Sequence, residues 1–246
     1  MANSFLASVR GSLEEKTAKR NLNKRLFAVV APRYQAATRI LSLWRDQKWK
    51  QEITSMVLRH SPETVVDLAS GTGDIALMIS SRFSKTSVLA LDLSPDMLRV
   101  FRERSDSNHL HASIGDMSRI CVKDRFADAV TGGYALRNAP DPVATIEEIH
   151  RILKPGGKAF FLEFSRAPNR ALWLLEYTLL KFWGGICGLL FHGDPRVYSY
   201  IAESLRTYPD RNKLHALLAS KGFQITDSRM RMFGMIELLE ISKPEF

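Results

Sequence analysis

The sequence predicts an α/β domain with a mostly parallel, seven-stranded sheet, on three observations. From residue 64 onward, short β-branched runs alternate with stretches of helical periodicity. The first run, VVDLASGTGD at residues 65–74, passes from strand into a glycine turn and resumes at helical spacing. The last two runs, 223–230 and 235–242, flank Gly234, which predicts a hairpin and with it an antiparallel edge strand.

Composition bounds what such a domain does. At 246 residues and 45% hydrophobic content, the chain buries one large core, or a core plus a small cap. The two cysteines, Cys121 and Cys187, form no C-x-x-C, so neither a disulfide framework nor a zinc site is expected, and a reducing, cytoplasmic-type compartment fits. The histidines show no metal-binding spacing; His109 and His111 either share one strand face or, as is commoner, lie in a solvated loop, and no metal is expected. The formal charge is +9, and residues 1–50 hold +8 of it, eleven Lys and Arg against Glu14, Glu15 and Asp46. Such a basic arm binds nucleic acid, binds an anionic membrane surface, or is a solvated helix face.

The elements follow in order. Residues 1–10 lack the apolar core and cleavage site of a secretory signal, and Glu14 and Glu15 argue against a mitochondrial presequence. Leu22, Leu26, Val29 and Val30 predict a helix over 13–30, ended by Pro32. Ile40, Leu41, Leu43, Trp44, Trp49, Ile53, Val57 and Leu58 predict a second amphipathic stretch that stops near Ser61 and Pro62. Residues 1–62 therefore form a helical N-terminal cap, and 63–246 the α/β domain. Strands are expected at 64–69, 87–93, 110–114, 127–131 and 158–164. Helices open at Gly73, at Ser94 with Pro95 in the first turn, and at Asp141 with Pro142 likewise. The amphipathic stretch 144–153 is stopped by Lys154, Pro155, Gly156 and Gly157, and another helix spans 210–220.

Between these lies an insertion at about 166–208, whose apolar part, ALWLLEYTLLKFWGGICGLLF, has the length of a membrane span. Glu176, Lys181 and a break at Gly184 and Gly185 weigh against spanning, because a charge at a bilayer centre is costly. A helix covering an apolar pocket is expected instead; a helix pair completing the core, or a homodimer contact, stays open.

The glycine turn is a ready nucleotide site. Gly71 and Gly73 admit a ligand close to the backbone, the helix start offers unpaired N–H groups, and Asp92 ends the second strand where ribose hydroxyls are met. Gly71, Gly73 and Ala76 also fit G-x-G-x-x-A, so the turn alone leaves NAD or FAD open.

Five blocks in order, VVDLASGTGD, ALDLSPDML, GDM at 115–117, YALRN and ILKPGGKAFFLEFS, resemble the class I S-adenosylmethionine-dependent methyltransferases. Within that class, LFAVVAPRYQAATRILSLWRDQKWK, GYALRNAPD and YIAESLRTYPD resemble the ubiquinone and menaquinone C-methyltransferases, from about Leu26 to the C-terminus. The resemblance implies a Rossmann-like fold, S-adenosylmethionine as cofactor and an isoprenoid quinol as substrate. It implies no nucleic-acid partner, and a cytoplasmic enzyme held peripherally at an inner membrane, or in the mitochondrial matrix of a eukaryote. It places Asp67, Ser70, Gly71, Thr72 and Gly73 at the methionine and ribose, Asp92 and Leu93 at the ribose hydroxyls, and Asp116 and Met117 at the adenine.

The chemistry implied is displacement at an activated methyl group, for which the protein supplies orientation and a reactive ring. A phenol has a pKa near about 10, and a fixed guanidinium beside its oxygen favours the anion. Arg137, just past the fourth strand, is the candidate, with Asn138 orienting the ring oxygen or a water. The proton acceptor is open among Tyr34, Tyr200, His192, Glu203 and a water held by Asp92 and Arg137. Arg137, Asn138 and Tyr200 are assigned to catalysis, and Tyr34, Tyr134 and Glu203 to the substrate. Two departures from the family pattern stand out: Gln35 where Asp is usual, and Ser70 where glycine is usual. Two other classes compete. A nucleic-acid methyltransferase would use the basic arm, but no RRM, KH or helix-turn-helix signature is present; a non-catalytic subunit would not need Asp92, Asp116 and Arg137.

Overall fold

The computed structural model describes residues 15–83, 85–105 and 107–245. The expectations for residues 1–14, including the start of the first helix, lie outside the described residues.

The cap is helical, with finer joints than its periodicity predicted. Helix α1 (Lys16–Val30) runs into a short 3₁₀ turn, Ala31–Arg33, and on into α2 (Tyr34–Leu41). The α-helix ends at Val30, as read, and Pro32 sits in the first turn of the 3₁₀ segment, where its missing N–H is no loss. The second predicted stretch is split. Leu43 and Trp44 take left-handed φ values of 51° and 64°, and Ser42 Oγ then accepts the Asp46 N–H at 3.0 Å to start α3 (Asp46–Leu58). The apolar Leu43 and Trp44, read as part of one amphipathic stretch, stand in the turn, 56% and 72% exposed.

Strand and helix then alternate, except between β3 and β4: β1 (Thr64–Leu68), α4 (Asp74–Arg82), β2 (Ser87–Asp92), α5 (Pro95–Glu103), β3 (Leu110–Ile114), β4 (Ala127–Gly133), α6 (Pro142–Ile152) and β5 (Leu153–Phe164). After the insertion come β6 (Gln224–Arg231) and β7 (Ile236–Ser242). The sheet order is β3-β2-β1-β4-β5-β7-β6, with β7 antiparallel to both β5 and β6. The hairpin at Gly234 thus builds the end of the sheet. Alternation along each strand divides two cores: Val65 faces Trp49, Ile53 and Ile79 of α3 and α4, whereas Val66 faces Ile146 and Ile149 of α6. The order reverses between β1 and β4, which leaves a crevice at their carboxyl ends.

The helix starts expected from Ser94 and Asp141 form as read, Ser94 Oγ accepting the Met97 N–H and Asp141 Oδ1 the Ala144 N–H. The strand expected at 158–164 begins earlier, at Leu153, because Gly156 at φ 75° lets its N–H reach the Lys243 carbonyl at 3.0 Å.

The insertion is a helical hairpin of α7 (Arg170–His192) and α8 (Arg196–Thr207), followed by α9 (Arg211–Ser220). The break expected at Gly184 and Gly185 does not occur, and α7 is continuous. Its glycines serve a close approach instead: a Cβ on Gly184 would stand 2.7 Å from the Tyr198 carbonyl oxygen, and one on Gly188 2.4 Å from that of Asp194. Glu176, the acid on this apolar helix, is buried and accepts the Ala167 N–H. By length and composition α7 can cross a membrane; it packs on α8 and α2.

Candidate active site

β1 delivers Asp67 to the bottom of the crevice. It is 1% exposed, accepts from Thr131 Oγ1 at 2.6 Å and from the Ala76 N–H, and burial pushes its carboxyl up to about 7. It therefore ties the turn to β4. Above it Gly71 and Gly73 adopt φ of 58° and 81°, and a Cβ on Gly73 would collide with the Phe101 ring. Ser70 keeps an ordinary negative φ, so a serine in place of glycine strains nothing. The Ser70 and Thr72 hydroxyls are buried with no hydrogen-bond partner among the described residues.

Asp92 ends β2, as expected. Its Oδ2 accepts the Gly71 N–H at 2.8 Å and its Oδ1 the Ser94 N–H at 2.7 Å, while burial lifts it to about 6. The Leu93 N–H donates to the same carboxylate, so three backbone donors hold it in place. Asp92, Leu93, Asp116 and Met117 all line one large cavity. Asp116 is not a bare acceptor: Ser118 caps its Oδ1, and Arg20 of α1 pairs with its Oδ2.

The same cavity is lined by the substrate-side candidates Tyr34, Tyr134, Arg137, Asn138 and Tyr200. Arg137 lies on a 3₁₀ turn, Leu136–Asn138, and is 5% exposed. Its Nη1 donates to Ser204 Oγ at 2.6 Å, and the guanidinium stands 5.2 Å from the Phe164 ring centroid and 6.0 Å from that of Tyr200. Its Nε is buried without a partner, and among the described residues no carboxylate lies within ion-pairing distance of it. Arg137 is thus a buried cation with donors to spare. Asn138 donates to the Tyr134 carbonyl at 2.8 Å, while the Tyr200 hydroxyl donates to Asn23 at 2.8 Å and to Asn138 at 3.2 Å. Burial raises Tyr34 and Tyr200 to about 12, which disfavours either as a tyrosinate base at neutral pH.

Glu203 is a correction. It accepts from Tyr177 at 2.7 Å and Lys181 at 3.0 Å between α7 and α8, and it does not line the cavity. His192, another proton acceptor considered, pairs with the Tyr198 hydroxyl at 3.0 Å and also lies off the cavity wall.

A second, polar cavity adjoins the glycine turn, and its wall holds residues the sequence did not single out. Lys50 bridges Asp46 at 2.6 Å and Asp74 at 2.7 Å, Arg104 pairs with Asp74 at 2.7 Å, and Gln35 donates to Asp74 at 3.3 Å. An acid at position 35 would meet Asp74; the amide donates to it. The i, i+4 spacing of Asp46 and Lys50 was the available signal. The arm is the other surprise. Three of its described cations make specific contacts, Lys16 with Asp141, Lys19 with the Arg137 carbonyl at 3.0 Å and Arg20 with Asp116, while Lys24, Arg25, Arg39, Arg45 and Lys48 stay exposed. Burial, and then the Arg137 charge, lower Lys19 to about 8. Among the described residues, no cluster of three His, Cys, Asp or Glu side chains is arranged to hold a metal ion.

Comparison with known proteins agrees with this geometry. The ubiE/COQ5 methyltransferase family profile matches residues 14–241. The demethylmenaquinone methyltransferase of Thermus thermophilus is 32% identical over 206 residues, 81% of this chain and 92% of that protein. That of Deinococcus radiodurans is 31% identical, covering 93% and 95%. The ubiquinone/menaquinone biosynthesis C-methyltransferase UbiE of Rubrivivax gelatinosus is 30% identical, covering 91% and 87%. Among solved structures, a putative methyltransferase bound to the Trm112 activator of Haloferax volcanii superposes with a TM-score of 0.62 at 18% identity, covering 89% of this chain and 97% of that one, which shows the fold. With β-strand order, glycine turn and strand-end acids in agreement, the chain belongs to the ubiE/COQ5 methyltransferase family.

Proposed function

We propose that the protein methylates a ring carbon of a polyprenylated benzoquinol or naphthoquinol, using S-adenosylmethionine, at a membrane surface. The relatives' names support the quinone class. The residues fit the cofactor: the unpartnered hydroxyls of Ser70 and Thr72 and the Lys50 ammonium suit the charged methionine end, and the Asp92 carboxylate suits the ribose diol. Asp116 and Met117 would meet the adenine, with Arg20 of α1 closing that end.

When bound, the sulfonium supplies an activated methyl group. The chain's own residues then orient the ring and stabilise its anion. Arg137 is the observation that carries this reading: a buried guanidinium with no ion pair among the described residues, which faces the cavity and stands over the Phe164 ring while the buried Glu163 carboxylate takes its backbone N–H. A ring oxygen beside it ionises more readily. Asn138 and Tyr200, linked to each other and to Asn23, fix the wall on which the ring rests. The purified enzyme, given a reduced demethylated quinone and S-adenosylmethionine, is expected to add one methyl to ring carbon. Arg137→Ala is expected to lower kcat on the order of 100- to 1000-fold, as loss of a fixed charge-stabilising donor does. Unchanged kcat in that variant contradicts the role.

The membrane part of the reading rests on α7. Leu172, Leu175, Leu179, Phe182 and Leu189 form an exposed apolar stripe at helical spacing, while Leu180 and Trp183 of the same helix line the cavity. The exposed ionic groups on this helix are the cations Arg170 and Lys181. The exposed Leu43 and Trp44 follow α2, which packs on α7, and the exposed Arg39, Arg45 and Lys48 lie near them in sequence. Apolar groups edged by cations suit an anionic bilayer, the source of a lipid-tailed substrate.

A further inference from the structure

Tyr134 follows β4 at a φ of 57°, which an L side chain rarely adopts. This strained turn sets its ring where the two cavities meet, since Tyr134, Tyr34, Ala69 and Gly133 line both. Its hydroxyl donates to Asp46 Oδ1 at 2.9 Å. Asp46 is 1% exposed, lines the large cavity, and pairs through Oδ2 with Lys50. A carboxylate buried that deeply needs such a cation, and Lys50 in turn needs Asp74. A buried carboxylate with a phenol on its inner side therefore stands between the cofactor end and the substrate end, and neither binding role uses it.

We propose that Tyr134 and Asp46 form the proton relay that ionises the substrate's ring hydroxyl. This rests on the quinol reading above. The substrate O–H bond breaks, and its electron pair stays on the ring oxygen beside Arg137. The proton joins Tyr134 Oη as Tyr134's own proton crosses to Asp46 Oδ1, so that Tyr134 and Asp46 end neutral and the substrate anionic. Once the ring carbon is methylated, that carbon's hydrogen leaves to solvent as the one proton released overall. Asp46 returns its proton through Tyr134 to the ring oxygen.

The surroundings suit a relay more than a standing tyrosinate. Burial, and then the Asp46 carboxylate, hold the Tyr134 hydroxyl well above its ordinary range, with Tyr34 and Glu163 acting in the same sense. Lys50 from α3 pairs with Asp46, and Asp74 at the start of α4, itself held by Arg104 and Gln35, offsets part of the Lys50 charge. Proton transfer of this kind contributes typically about 100- to 10,000-fold to rate.

The test compares wild type, Asp46→Asn and Tyr134→Phe, all full-length, on a reduced demethylated quinone across about pH 7 to 10, the range over which a phenol ionises unaided. Near neutral pH both variants are expected to lose on the order of 100-fold in kcat, with KM for the quinol changed less than about threefold. The deficit is expected to shrink about tenfold per pH unit as the substrate ionises in solution. Calorimetric binding of S-adenosylhomocysteine checks that each variant is folded. Tyr134→Phe leaves the Asp46 and Lys50 pair intact and decides the matter if Asp46→Asn fails that check. Variant rates equal to wild type, or a deficit that stays constant with pH, overturn the relay alone. A wild type that methylates no quinol overturns the quinol reading and the relay with it.

Discussion

Asp67 and Asp92 carry the clearest pH signature at the scale of single residues. Both are lifted by burial, to about 7 and about 6, from ordinary values near 4. The folded protein therefore holds protons there that the unfolded chain has lost. The stability they contribute is full below the unfolded pKa and is lost as pH rises through the folded one. For Asp67 the shift corresponds to at most about 4 kcal/mol, applied between about pH 4 and 7. Urea unfolding at about pH 5 and pH 8 is expected to show the native enzyme weaker at the higher pH. Asp67→Asn is expected to reduce that slope, and an unaltered slope would mean other groups set it. Gly71, Asp92 and Arg137 were legible because each sits in a short motif whose neighbours in sequence are its neighbours in space. Asp46 and Lys50 were not, because they act only once α3 has folded against the end of β4, and Lys50 read as one more charge of the arm.

At the scale of elements, the hairpin of α7 and α8 shows what composition hides. Gly184 and Gly185 read as a break, because glycine is a poor helix former. In the fold, Gly184 and Gly188 are spaced one turn apart on the face that meets α8, and backbone carbonyls lie where side chains would start. Gly188→Val is expected to destabilise the protein by about 1–3 kcal/mol through overpacking, seen as a lower urea midpoint. Gly185→Ala is the control: a Cβ there meets nothing closer than Pro195 at 3.8 Å. Equal midpoints for the two variants would show that α7 and α8 yield freely. The parallel strands and capped helices were legible because a βα repeat punctuated by Ser94, Pro95, Asp141 and Pro142 leaves few alternatives. The split at Leu43 and Trp44 was not, since two large apolar residues continue an amphipathic pattern and nothing local announces their left-handed backbone.

For the whole molecule, the distribution of charge changes meaning once the chain is folded. Counted along the sequence, the N-terminal cations form an arm; folded, Lys19, Arg20 and Lys50 hold groups at the two cavities and Lys16 pairs with Asp141 at the surface. What remains for a bilayer is the α7 stripe and the turn at Leu43 and Trp44. Vesicles containing phosphatidylglycerol are expected to sediment with the enzyme. Phe182→Glu with Trp44→Glu is expected to weaken that binding at least about tenfold, about 1.4 kcal/mol, without altering turnover of a short-tailed quinol in detergent. Dimerisation through the same stripe, lost in the variant, would contradict the bilayer assignment. The central claim, C-methylation of a quinol, is tested most directly by mass spectrometry of the quinone pool in cells lacking the gene. Accumulation of a quinone one methyl group short, restored by the native gene and not by Arg137→Ala, is the predicted result; a quinone pool identical to that of the parent strain would contradict it.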